Sequence, residues 1–594
     1  MNSTILSTND RDSASRIMAS AMTPHGTCLG VLAILILMYP QFFELRLLGM
    51  SAVDADSDGY VLLMLRCCAV VGICVSAVLL AYRGLRDSYS VEFIRRWIIA
   101  CSVGLLAALS ISYWWYVNDD AAISFTYARN LVEGHGLVLN PGDEPVEGFS
   151  NPLWVSILAL CRLAGADIVV TAKLLGLVLS ITSILIVARI LRCAHPVALV
   201  ALPLAACSSP FVIWSNSGLE TALHAALLTS LCALLMDRPV RGRLCKAGIA
   251  IVLSALILVR PEGVLFTFSV GGALVYDAVR KRRGLAEVLQ VLAWPIAVLI
   301  VQLGARLWYF GDWLPNTYYA KGTDANLLRL LNPLSGGWSY VGSALVSGGW
   351  MLLALPALLA VGGRQGRGAI GGAVLIVATQ IVFVVSVGGD WMSEYRFVAP
   401  IVPLLTVLAG FGWVALWRMA AGTDLQRLTL GIAVITVWIV IGIQARRLVR
   451  FERRPTTSME MAANVGSYFK GLAVRAGVDD PLLLHHDAGG TTFVARIRLL
   501  DLGGLCDRVI AREWRNRSEL KRYIFDQKKP TFIFSGPGFA QKTRIHEFEE
   551  FDRDYVALPK VEAPDLAGYL CHVRRDVAKR LFSDRVGPQE GTQE

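Results

Sequence analysis

Two adjacent acids, Asp119 and Asp120, stand where an apolar run ends, and a polar, glycine-rich segment follows them. A carboxylate at a membrane boundary is costly unless it is hydrated or paired. Two of them side by side raise each other's proton affinity. That suits a general base taking a proton from a sugar hydroxyl; a solvated helix end is the plainer alternative. The loop 118–154 also carries His135, Asp143, Glu144 and Glu147. Its glycines permit close approach of backbone to a ligand. His135 is a candidate for a phosphate or hydroxyl contact, against a purely structural loop histidine. Glu147, just before a turn, is a candidate for orienting substrate. Asp143 and Glu144 read as a solvated turn.

Four further polar blocks interrupt apolar runs. Glu220 closes Ser-Gly-Leu-Glu, and Arg260 and Glu262 sit in Val-Arg-Pro-Glu. Arg matches phosphate oxygens bidentately, so Arg260 is a candidate for a lipid phosphate; a helix cap with an internal salt bridge weighs equally. Tyr318, Tyr319 and Lys321 combine aromatic faces with a cation, fit either for stacking on a sugar or for an interfacial belt. Asp390, Glu394 and Arg396 complete the set, with a self-contained salt bridge as the alternative. Arg260, Lys321 and Arg396 are thus the candidate cations for a phosphate. Glu147, Glu220, Glu262, His135 and Asp390 are the candidates for hydroxyl contacts.

The elements that must position these residues are membrane helices. The 594 residues are 55% hydrophobic and only 17% charged, against about 25% charged in soluble domains. About 13 apolar runs reach or approach the ~20 residues a bilayer-crossing helix needs. They fall near 27–48, 60–82, 97–117, 167–191, 197–213, 222–236, 247–260, 264–278, 287–308, 340–362, 369–387, 397–417 and 428–444. Residues 152–165 are too short to cross and are expected in the interface. Residues 1–26 read as a disordered cytoplasmic tail, and 27–449 as the transmembrane catalytic part. Basic loops follow the even-numbered spans and the motif loops follow odd-numbered ones, so the motifs are expected outside the cytoplasm. The arginines from Arg446 to Arg454 conflict with that parity. The net charge of +10 is explained by anchoring loops and does not call for nucleic acid.

Beyond about residue 450 the apolar runs shorten to strand length, at Leu482–Leu484, Arg498–Leu502, Thr531–Phe534, Tyr555–Leu558 and Tyr569–Val573. With helical stretches between them, 450–594 reads as an extracytoplasmic α/β domain, expected to bind the acceptor. Ten of the twelve cysteines lie in or beside apolar runs, where Cys is a small hydrophobe. Outside the cytoplasm, the other two, Cys506 and Cys571, are candidates for a disulfide. His485-His486-Asp487 does not make a metal site, because adjacent side chains on a strand point to opposite faces. No metal ligand set is read from the sequence; no cofactor is required, though a divalent cation at Asp119 and Asp120 stays open. No phosphate-loop lysine motif, Gly-x-Ser-x-Gly elbow or dinucleotide fingerprint occurs.

The acidic pair in an early outward loop of a polytopic chain resembles the C-type glycosyltransferases, which use polyprenyl-phosphate sugars. The ordered blocks narrow this: Asp-Asp-Ala, Ala-Arg-Asn-Leu, Gly-His-Gly, Asn-Pro-Gly and Val-Glu-Gly, then Ser-Gly-Leu-Glu, Val-Arg-Pro-Glu, Tyr-Phe-Gly-Asp-Trp-Leu-Pro-Asn-Thr-Tyr-Tyr-Ala-Lys and Gly-Gly-Asp-Trp-Met. This series is similar to the actinobacterial terminal β-(1→2) arabinofuranosyltransferase family. The resemblance covers roughly residues 97–420 well and the C-terminal part loosely. It implies a multi-pass enzyme of the plasma (inner) membrane that moves a sugar, D-arabinofuranose, from a polyprenyl-phosphate donor such as decaprenyl-phosphoryl-arabinose. The acceptor is a hydroxyl of an extracytoplasmic cell-wall glycan. It also implies Asp119 or Asp120 as the base, the other positioning substrate. Two alternatives are a transferase moving mannose or aminoarabinose onto protein or lipid, and a transporter of lipid-linked sugar.

Overall fold

The computed structural model describes residues 88–192, 195–236, 242–282, 284–321, 327–353, 367–423, 425–559 and 569–582. The expected tail 1–26 and the runs 27–48 and 60–82 lie outside the described residues. Among the described residues, seven helices are long and apolar enough to cross a bilayer, and one bent pair makes an eighth. The long helices include Ile168–Arg192, Ala286–Phe310, Arg367–Val387 and Leu425–Arg453.

Three expected spans take another form. The run 197–213 is two helices, Pro196–Ala206 and Ser209–Ser215, bent 56° apart. Ser208 between them is extended, as suits a chain about to enter a helix whose second residue is Pro210. The pair is buried from Val197 to Ser215, so it forms the interior of the bundle and does not face lipid. The run 340–362 begins as the 12-residue helix Gly336–Ser347 and breaks at Gly348-Gly349. The last helix runs on past 444 to Arg453. Arg447 therefore belongs to its buried face, where Nε lies 3.0 Å from a Glu394 carboxylate oxygen and Nη1 donates to Ser347; it is not a loop anchor. The run 152–165, expected in the interface, is the short helix Pro152–Leu163, which leaves Leu160 and Leu163 exposed.

The five short apolar runs near the C-terminus are strands of one sheet: β1 (Leu482–His485), β2 (Arg498–Asp501), β3 (Phe532–Ser535), β4 (Tyr555–Ala557) and β5 (Leu570–Arg574). The order is β2-β1-β3-β5-β4. The first three are parallel; β5 runs antiparallel to β3 and β4. Side chains alternate between faces, so each strand feeds two cores. Leu483, Leu499, Phe532 and Phe534 join the apolar cluster of the membrane helices, while Leu484, Leu500 and Ile533 form a separate one on the far face. The C-terminal unit is thus welded to the helical part by one continuous core. Cys506 and Cys571 are both free thiols, so the expected disulfide is not formed.

Candidate active site

The acidic pair opens the helix Asp119–Val132. Asn118 is its N-cap, its side chain accepting the Asp120 N–H at 3.1 Å, and acids in a first turn meet the positive end of the helix dipole. The peptide here is pinned from two sides. Asn118 N–H donates to the Ser217 carbonyl at 3.0 Å, and Asp119 N–H donates to the Thr457 carbonyl at 3.2 Å. Beneath it, the ammonium of Lys173, fully buried in the Ile168–Arg192 helix, donates to the carbonyls of Tyr116 and Asn216.

The two acids then diverge. Asp119 is buried and accepts from the backbone N–H groups of Gly489 at 3.1 Å and Gly490 at 2.7 Å. Glycine is required at both positions. A Cβ on Gly489 would collide with the Asp119 carbonyl, and one on Gly490 with the Met459 carbonyl. Burial raises the Asp119 pKa first, Asp487 adds to it, and Asp120 is a lesser contributor. The mutual effect of neighbours, expected from sequence, is therefore secondary to desolvation. Asp120 instead turns to the cleft with its side chain 31% exposed, and accepts from Arg396 Nη1 at 2.8 Å.

Arg396 is buried between two acids, its Nε lying 2.8 Å from Asp390. Its plane rests over Trp214 and Phe397. Although burial opposes its charge, Asp390 and Asp120 raise its pKa, so it stays a cation. The residues just before it, Glu394 and Tyr395, have φ of 57° and 45°. That left-handed backbone is unfavourable for non-glycine residues; here the buried Glu394–Arg447 ion pair holds it. Arg260 also packs over the Phe397 ring, 2.5 Å from both Glu220 and Glu262. Glu220 also accepts from Asn151 at 2.6 Å, and Asn151 accepts from Ser124 of the Asp119 helix at 3.1 Å. One polar chain thus runs from the acidic helix to Arg260.

Lys321 caps the short helix Asn316–Ala320, with part of its surface accessible to solvent and protein packed around the rest. Enclosing walls and then repulsion from Arg396 lower its pKa, while Asp120 and Asp390 raise it. Unlike the two arginines, it makes no ion pair or hydrogen bond within the described residues. Its loop is clasped by the C-terminal unit. Asn316 Nδ2 donates to the Gly504, Leu505 and Asp507 carbonyls, Arg512 pairs with Asp312 at 2.6 Å, and the same guanidinium covers the Tyr319 ring at 4.4 Å.

Asp120, Asp390, Arg396, Glu220, Arg260, Glu262 and Lys321 therefore come together, while the other candidates are placed elsewhere. Glu147 is buried in a two-pronged ion pair with Arg306 at 2.5 and 3.1 Å. Tyr319 is covered by Arg512. His135 is exposed on its loop with no contact to the cluster. Asp143, read as a solvated turn, bonds Arg498 at 2.6 Å and braces the loop on β2. Sequence reasoning missed Asn151, Lys173 and Asp487. An Asn before Pro152 at a helix start and a lone Lys in an apolar run were the available signals. No trio of His, Cys, Asp or Glu side chains converges as a metal site among the described residues.

This is the fold class of the C-type membrane glycosyltransferases. A crystal structure of ArnT from Cupriavidus metallidurans bound to undecaprenyl phosphate superposes with a TM-score of 0.50, 14% identity and coverage of 82% of this chain and 99% of that one. Two curated relatives are named terminal beta-(1->2)-arabinofuranosyltransferase. The one from Mycobacterium tuberculosis is 29% identical over 243 residues, 36% of this chain and 37% of its own length. The one from Corynebacterium glutamicum is 26% identical over 359 residues, 52% of this chain and 50% of its own. The chain therefore matches half or less of their length. Their name is that of the enzymes which the ordered motif blocks resemble. No family model matches the chain.

Proposed function

We propose that this chain is a membrane glycosyltransferase that moves D-arabinofuranose from a polyprenyl-phosphate donor to a hydroxyl of an extracytoplasmic glycan. The observation that carries it is the division of charge around Asp120. The base candidate is partly open and oriented by Arg396, while Lys321, which has no carboxylate partner among the described residues, lies within electrostatic reach of it. The acceptor oxygen bonds to the anomeric carbon as its proton passes to Asp120. The bond from that carbon to the phosphate oxygen breaks, and the polyprenyl phosphate leaves with its charge held by Lys321. Arg396 and Arg260, already paired, fix the geometry and supply the positive field. A monophosphate leaving group needs no more than these cations, so no metal enters the scheme. The solved relative of the same fold holds undecaprenyl phosphate, which supports a polyprenyl-phosphate donor. Basic-loop parity supports a site outside the cytoplasm, with the C-terminal unit beside the acceptor.

The test is transfer by the purified full-length protein with a panel of polyprenyl-phosphoryl sugars and an arabinan oligosaccharide acceptor. Arabinose transfer that depends on Asp120 supports the reading. Transfer of mannose or aminoarabinose alone replaces the sugar, and transfer that survives Asp120→Asn overturns the base.

A further inference from the structure

The helices that bring Arg260, Glu262 and Asp390 to the cleft each have a second end. Arg243–Val259 leads up to Arg260, Gly263–Arg280 starts just after Glu262, and Arg367–Val387 stops shortly before Asp390. The middle one has 18 residues, about 27 Å at ~1.5 Å per residue. That is close to the ~30 Å apolar layer of a bilayer. The far ends of these helices therefore stand at the leaflet opposite the cleft.

The bundle is not filled between those far ends. Thr379 Oγ1 donates to Ser269 Oγ at 2.9 Å and ties two of the helices together. Farther from the cleft, the helix of Thr379 carries Gly368, Gly371 and Gly372, which share one face by their spacing. Gly368 and Gly372 lie close on the helix Thr221–Met236. A Cβ on Gly368 would meet the Met236 carbonyl oxygen at 2.8 Å, and one on Gly372 the Leu235 Cβ at 3.3 Å. A groove of about 750 Å³ runs beside them, within the ~300–1,000 Å³ of sites that hold small molecules. Its floor is apolar, made by Val270, Leu274, Val288, Val291 and Leu375. Tyr276, Val279 and Leu289 are exposed alongside, so the groove opens on the surface that meets lipid.

The rim of the groove is charged, and its charges do not cancel. Lys281 pairs with Asp277 at 2.5 Å. Lys246 pairs with Glu287 at 3.3 Å and donates to Gln290 at 3.2 Å. Arg280, the fifth charged residue of the lining, is exposed and makes no ion pair or hydrogen bond within the described residues. The lining thus keeps one positive charge, on the side chain whose planar fork matches two phosphate oxygens.

We propose that this groove holds one anionic phospholipid of the leaflet opposite the cleft, its acyl chains on the apolar floor and its phosphate diester on Arg280. One spare cation faces one anionic phosphate. The donor is the wrong occupant, because a polyprenyl phosphate bound here would keep its phosphate about 27 Å of helix away from Arg260. The inference does not depend on glycosyl transfer. Only the naming of the leaflet as cytoplasmic, where anionic lipids are enriched, rests on the outward reading of the cleft.

Native mass spectrometry of the full-length protein in detergent tests this, with phosphatidylglycerol and phosphatidylcholine of identical acyl chains. Each variant is first matched to the wild type by its Tm without added lipid. The wild type is expected to retain one phosphatidylglycerol in preference to phosphatidylcholine. Arg280→Ala is expected to weaken it about tenfold, the loss of a charge-assisted hydrogen bond, and Arg280→Lys to recover part. Ala273→Trp, which fills the groove from an exposed position of its lining, is expected to remove the lipid with Arg280 in place. Arg282→Ala, exposed outside the lining, is expected to leave it. Equal retention of the two lipids, equal losses in Arg280→Ala and Arg282→Ala, or an adduct that survives Ala273→Trp overturns the proposal in favour of ordinary anchoring by a basic loop. Displacement by equimolar undecaprenyl phosphate overturns it in favour of the donor chain.

Discussion

The cleft has two unlike walls. On the membrane-helix side, arginines are matched by acids: Arg396 by Asp120 and Asp390, Arg260 by Glu220 and Glu262. Where the acidic helix meets the C-terminal unit, two carboxyls have no cation partner among the described residues: Asp119 rests on two backbone N–H groups and Asp487 lies between the imidazoles of His485 and His486, which burial keeps neutral. The first wall is a fixed field in which Lys321 has no ion-pair partner among the described residues, which is why the proposed scheme gives it the anion. The second favours protonated acids. On the proposed reading, the donor phosphate is placed at the first wall and the acceptor hydroxyl beside Asp120. Asp120, the neighbour of Asp119 in the chain, is bonded to the first wall through Arg396.

The hardest way to break this contrast is to neutralise Asp120. Asp120→Asn should lower kcat by about 10²–10⁴-fold, the usual contribution of a positioned general base, read by product formation at saturating substrate. Next, Lys321→Ala should cost about 10²–10³-fold in kcat/KM, as expected when a preorganised charge at the leaving group is lost. Lys321→Arg should recover part of it. A Lys321→Ala enzyme with wild-type kcat/KM would remove the phosphate from that wall.

Glu147→Gln should act on stability. It leaves the buried Arg306 guanidinium with a neutral partner, and breaking such a pair costs about 3–5 kcal/mol. A lowered Tm with little change in the kcat of the folded fraction would match this placement; kcat loss at an unchanged Tm would put Glu147 back in the site.

The smallest expected effect is a pH slope. The Asp487 pKa is about 6 when folded against an ordinary 3.8, raised by burial and by Asp120. The folded state thus binds the proton more tightly than the unfolded chain. The stability tied to that proton is fully present below about pH 4 and lost as pH rises toward 6. Wild-type Tm should fall across that window, and Asp487→Asn should flatten the fall; parallel curves would contradict it. A chelator should leave transfer unchanged at either wall.

Much of this was legible in the sequence, for local reasons. Apolar runs of strand length marked all five strands, and the charge–apolar boundaries placed Asp120, Arg260, Lys321, Asp390 and Arg396 at helix ends. Long-range pairing was not legible. Asp119 and Asp120 are chemically alike and adjacent. Only the fold brings Gly489 and Gly490, 370 and 371 residues away, onto one of them. Arg306, in an apolar run, gave no sign that it would take Glu147 out of play. The bent pair 196–215 read as a single span, because hydropathy measures apolar length and is blind to a 56° turn inside the bundle. Arg447 looked like a loop charge because its helix outlasts its apolar stretch.

The most direct test sets the two neighbouring acids against each other. Asp119→Asn and Asp120→Asn should be purified side by side, and kcat and Tm measured on each. The account predicts opposite profiles. Asp120→Asn should keep a near-native Tm and lose transfer. Asp119→Asn should leave a Gly489 or Gly490 N–H without its acceptor, costing about 1–3 kcal/mol, with a lowered Tm and substantial transfer by the folded fraction. Abolished transfer in Asp119→Asn at native Tm, with Asp120→Asn active, would contradict it.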